Sequence, residues 1–172
     1  MSAATDSTNP AADESWPMVE EAVFRLFDEI AVKREYVALG TRLDELGWAE
    51  IESEYPVEAC ALLFRAQGRS LALTDALDRV MLAELKALLD APADHILLPP
   101  LSKAVTPGSD EDQVKGILAG PLCGRVAVPV SRALGTVSLT VIDADRLRGP
   151  PVDTFDSSVS WTWVEGPLTG TL

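Results

Sequence analysis

Apolar residues recur at three- and four-residue intervals from Met18 to Leu89, and at every second residue from Val126 to Val130 and again from Val137 to Val141. The first period is that of a helix face and the second that of a strand face. A chain that carries them one after the other folds as helices and then sheet, not as an interleaved α/β layer. The expected class is α+β: an N-terminal helical domain followed by a partial, mostly antiparallel β domain.

In the helical stretch Val19, Ala22, Val23, Leu26, Phe27 and Ile30 form one stripe, Glu20, Glu21, Arg25, Asp28 and Glu29 fill the remaining face, and Pro17 suits the first turn. A second register, Val37, Leu39, Leu43 and Leu46, stops at Gly47, with Trp48 expected to pack just past the stop. Pro56 opens a third helix, predicted to turn Val57, Cys60, Ala61, Leu63 and Phe64 inward and to close at Gly68. A fourth runs through Leu71, Leu77, Val80, Met81, Leu82, Leu85, Leu88 and Leu89.

After Ala91 the texture changes to prolines (Pro92, Pro99, Pro100, Pro107, Pro121) and short β-branched runs. Val126, Val128 and Val130, then Val137, Leu139 and Val141, predict a hairpin turned through a loop containing Gly135. Residues 114–119 and 159–164 are further strand candidates, the second with Trp161 and Trp163 on one face. Pro129 places its strand at an edge or at its end. The expected organisation is a disordered leader over 1–15, helices over 16–90, a proline-rich connection over 91–113 and the partial β domain over 114–172. Four strands do not close a barrel, so a sheet edge is left for something else to cover.

The 172 residues, 47% of them hydrophobic, suffice for a core without staples. A net charge of −13 argues against nucleic acid or an anionic membrane as partner. Cys60 and Cys123 are too few for a disulfide framework or a zinc site, which points to a reducing, cytoplasmic setting. No stretch approaches the roughly 18 apolar residues of a membrane span, and the N-terminus lacks a secretory pattern.

Chemistry is sparse in the local pattern. The single histidine, His95, reads as a surface or hinge residue, Cys60 as a small buried hydrophobe, and no nucleophile triad follows from spacing. Gly116, Gly120 and Gly124 suit bends of a strand, turn and strand, and no phosphate-binding glycine loop occurs. Asp110, Glu111 and Asp112 read as a solvated loop. No catalytic or metal-binding residue is assigned.

Several words of the sequence, in order, resemble the acyl-CoA dehydrogenase family. "LDELGWAEI" (43–51) and "ALLFRAQGRSLALTDALDRVMLAEL" (61–85) are similar to its N-terminal helical domain, and "GILAGPLCGRVAVPV" (116–130) with "GTVSLTVIDADRL" (135–147) to strands of its middle β domain. In that family FAD lies between the β domain and a C-terminal helical bundle, which supplies the glutamate base that removes the acyl-CoA α-proton while flavin takes the β-hydride. None of the 172 residues resembles such a bundle, so the base would be expected from elsewhere. "AVTPGSD" (104–110) looks like a contracted form of the flavin-contacting signature, which would make Thr106 and Ser109 the residues that bind FAD, although the signature's glutamate and its following Trp-x-Thr are absent. The resemblance implies a truncated or non-catalytic partner subunit of a flavoprotein oxidoreductase acting on CH–CH groups of acyl-CoA, in fatty acid or sterol degradation. It would form a homo-oligomer or pair with a second acyl-CoA dehydrogenase-like subunit, and meet acyl-CoA only within the complete complex. The alternative is a non-enzymatic acidic α+β module that binds another protein.

Overall fold

The structure is a computed structural model that describes residues 15–100, 106–108, 113–132, 135–149, 151–152 and 161–168. Residues 1–14 of the leader, the Asp110 to Asp112 run and Val159 lie outside the described residues. The class is α+β: helices α1 (Trp16–Lys33), α2 (Gly40–Asp44), α3 (Trp48–Glu54), α4 (Pro56–Ser70) and α5 (Ala76–Leu85) precede strands β1 (His95–Ile96), β2 (Gln113–Leu118), β3 (Arg125–Ser131), β4 (Val137–Asp143), β5 (Pro151–Val152) and β6 (Trp161–Pro167). Two compact units divide at Ala76 and Leu77, so that α5 groups with the strands and not with the helices before it.

In the first unit α1 buries Val23, Leu26, Phe27 and Ile30, as its stripe requires, and packs on α4. Helix α4 turns inward Ala59, Leu62, Leu63 and Ala66, one position off the predicted face. Val57 is 74% exposed and Phe64 is 41% exposed. The small Ala59 and Ala66 permit close approach of the two helices, a use that a count of large apolar residues overlooks. Gly68 does not stop α4, which continues to Ser70 and ends where Leu71 takes a left-handed conformation. The second register is helical only over α2; Val37 instead bridges Thr74, and the Leu39 amide donates to Asp75 Oδ1 at 2.8 Å. Gly47, at φ 68°, ends that turn, and Trp48, fully buried, begins a helix of its own.

In the second unit the strands form two three-stranded arrays, β1-β3-β4 and β2-β6-β5. Leu98 exchanges both backbone hydrogen bonds with Ile117, and Gly108 bridges Val114 and Val130, which joins the two arrays. Leu97, Val114, Leu118, Val126, Val128, Val130, Ile142, Leu147 and Val164 make the core between them. The hairpin forms as expected, β3 antiparallel to β4, with Val126 opposite Ile142, Val128 opposite Thr140 and Val130 opposite Ser138. Opposed residues share a face. The β3 valines therefore point inward, whereas Val137, Leu139 and Val141 lie on the other face of the hairpin. On β6, Thr162 and Val164 are the buried residues, and Trp161 and Trp163 alternate with them, half-buried.

Pro129 corrects the edge expectation, because β3 lies between β1 and β4. The Pro129 carbonyl accepts the Gly108 amide at 2.9 Å on the side away from β4, past the point where β1 has ended. Its nitrogen faces that same side, so the missing N–H removes no bond to β4.

Candidate functional site

The second unit brings three chemically capable side chains together. Asp78 lies in the first turn of α5, where a carboxylate is favoured by the helix N-terminus. His95 starts β1, and Cys123 lies in the turn that precedes β3. His95 Nδ1 is 2.8 Å from Asp78 Oδ2, and Nε2 is 3.4 Å from Cys123 Sγ. Asp78 Oδ1 accepts the Ile96 amide at 2.9 Å, so the carboxylate fixes both the ring and the strand that carries it. In the tautomer that satisfies both contacts, Nδ1 carries the proton and donates to Asp78, and Nε2 presents its lone pair to the thiol.

The cysteine turn is pinned on several sides. Thr162 Oγ1 donates to the Gly120 carbonyl at 2.7 Å, and the Ala144 amide donates to Gly124 O at 2.9 Å. Asp94 exchanges bonds with Arg125, its amide to the Arg125 carbonyl and its Oδ2 from the Arg125 amide, both at 2.8 Å. Gly124 has φ 63°, and a Cβ there would collide with the Asp94 carboxylate. Asp78 and His95 are buried and Cys123 is exposed, so the group at the head of the series is the one that solvent reaches. Partial desolvation of the sulfur against the turn, and then the charges of Asp94 and Asp78, push the Cys123 thiol above its ordinary value. The thiol is therefore held protonated, beside a base oriented to take that proton when the sulfur attacks.

This arrangement replaces the reading of His95 as a surface or hinge residue and supplies a series that spacing alone does not reveal. Asp78 precedes His95 by 17 residues, and Cys123 follows it by 28. One signal was present: Asp78 falls at helical spacing from Met81 and Leu82, a carboxylate on an apolar stripe.

Of the residues assigned to FAD, Ser109 lies outside the described residues. Thr106 Oγ1 donates to the Gly108 carbonyl at 3.0 Å, and Gly108 is itself stitched between β2 and β3. The only proton of that hydroxyl is engaged within its own turn, which does not fit a donor to flavin. Gly116 sits mid-strand in β2, not at a bend, where a Cβ would overlap Leu97 and the Leu98 carbonyl. Cys60 is half-buried on α4. Among the described residues, no group of three or more His, Cys, Asp or Glu is placed to hold a metal ion, and no helix is long and apolar enough to cross a membrane. Comparison with protein-family models, with curated proteins and with solved structures found no match.

Proposed function

We propose that this chain is an acyl-CoA dehydrogenase-like subunit without a redox centre of its own. It acts beside a flavin-bearing polypeptide that contributes the helical bundle and the base for oxidation of acyl-CoA CH–CH groups. One observation carries the reading: the two β-domain words of the resemblance lie side by side as the antiparallel pair β3 and β4, after a run of helices. The engaged hydroxyl of Thr106 favours placing the flavin with the partner. Val137, 59% exposed at the start of β4, is an apolar position suited to a protein neighbour, with Leu139 half-buried beside it.

The test is purification of the tagged full chain from its native cells, followed by mass analysis, an absorbance spectrum and an acyl-CoA oxidation assay. The expected result is a stoichiometric complex with a bundle-containing polypeptide that shows flavin bands and oxidises acyl-CoA. A colourless monomer that takes up no flavin on titration and stimulates no such polypeptide overturns the reading.

A further inference from the structure

We propose that Cys123 and His95 form an acyl-transfer centre, with Asp78 as positioning residue, that accepts the acyl group of an uncharged ester or thioester at Cys123 and releases it to water. The inference stands apart from the flavoprotein reading, since it uses none of the residues assigned there. Three observations carry it: the thiol is exposed, the imidazole nitrogen facing it is 3.4 Å away, and the other ring nitrogen is held at 2.8 Å by a carboxylate itself fixed by a backbone amide. Nucleophile, base and orienter thus stand in the order that acyl transfer requires, on three separate elements.

The steps balance without a redox partner. Cys123 Sγ attacks the acyl carbonyl carbon, a C–S bond forms, and the thiol proton passes to His95 Nε2. The tetrahedral intermediate collapses with cleavage of the bond to the leaving thiol or alcohol, which takes that proton. Water then attacks the acyl-cysteine with His95 again as base, and the proton returns to the Cys123 sulfur. The products are a carboxylic acid and a free thiol or alcohol.

Charge decides the substrate class. Asp94 and Asp78 face the sulfur, and the whole chain carries −13, so a polyanionic donor is repelled where an uncharged one is not. The uncharged probes p-nitrophenyl acetate and S-acetyl-N-acetylcysteamine are therefore the donors of choice, with acetyl-CoA as the anionic counterpart.

The experiment follows leaving-group release by the full chain, together with intact mass and peptide mapping. A burst stoichiometric with protein is expected, with the acetyl group on Cys123 and not on Cys60. Cys123→Ala abolishes burst and turnover, and His95→Gln slows acylation by about 100-fold, the lower range for loss of a general base. As both Asp78 and His95 are buried, the wild-type pH profile supplies a test free of folding. Among the described residues, the titratable groups acting on the sulfur are His95, Asp78 and Asp94. With His95 as base, acylation is expected to run at pH values where the thiol itself is still protonated, and its rate to level off below the thiol's own ionisation. Three results each overturn the proposal: a rate that follows only the thiol's own ionisation, equal acylation of Cys60 and Cys123, or a faster reaction with acetyl-CoA than with the uncharged thioester.

Discussion

The carboxylate of Asp78 holds His95 at 2.8 Å through Nδ1 while both residues are almost wholly shielded from solvent, 1% and 3% exposed. The second carboxylate oxygen takes the amide of Ile96, so this aspartate ties α5 to β1 and aims the ring at once. A polar group so placed contributes to stability through what its loss would strand.

Asp78→Ala removes two acceptors and leaves the Ile96 N–H and the His95 Nδ1–H buried without partners. At about 1–3 kcal/mol for each stranded donor, the expected loss is about 3 kcal/mol or more. Asp78→Asn keeps one acceptor and is expected to cost less, about 1–2 kcal/mol. Urea denaturation of the two variants checks the order; an Ala variant within about 0.5 kcal/mol of wild type would show that the pair does not support the fold.

The raised thiol of Cys123 has a pH signature. The folded chain holds this proton more tightly than the unfolded one, so the associated stability is complete below the ordinary thiol range and is lost as pH rises through the raised value. Alkylation by iodoacetamide requires the thiolate, so the Cys123 rate is expected to reach half its maximum at a pH above that of an ordinary thiol. Asp94→Asn removes one of the two charges responsible and is expected to lower that midpoint while keeping an acceptor for the Arg125 amide. A wild-type midpoint at or below the ordinary value contradicts the assigned surroundings.

Phe27 and Phe64 separate the two possible faces of α4 and its neighbour. Phe27 is fully buried on α1, and its replacement by alanine is expected to cost about 3–5 kcal/mol. Phe64 is 41% exposed, and Phe64→Ala is expected to cost under about 1 kcal/mol. Equal shifts in denaturant midpoint would mean that Phe64, not Ala59 and Ala66, faces α1.

What was legible in the sequence follows from the range of the forces involved. The stripe of α1 and the alternation of the β3–β4 hairpin are written within a few residues, and both formed where the periods placed them. The face of α4 was misjudged because large residues can be left outside. Phe24, for example, is covered by the Arg69 guanidinium 4.7 Å above its ring, in a pair of helices also linked by Arg69 to Asp28 and Arg65 to Glu20. The Asp78–His95–Cys123 series was illegible by spacing because it depends on the pairing of β1 with β3, a long-range event that fixes where each side chain lands. Pro129 misled for the same reason: the proline is harmless only because β1 stops short of it.

Gly124 and Gly135 test how the cysteine turn is held. Both have positive φ, 63° and 74°, so alanine at either costs about 1–2 kcal/mol in backbone strain. At Gly135 nothing among the described residues lies within 4 Å of the added Cβ, and that strain is the expected cost. At Gly124 the Cβ runs into the carboxylate of Asp94, which must move and loosen its bond from the Arg125 amide. Gly124→Ala is therefore expected to lose at least about 1 kcal/mol more than Gly135→Ala in urea denaturation. It is also expected to change the alkylation rate of Cys123, which Gly135→Ala leaves untouched. Equal losses with an unchanged Cys123 rate would show that Asp94 does not set the position of the turn.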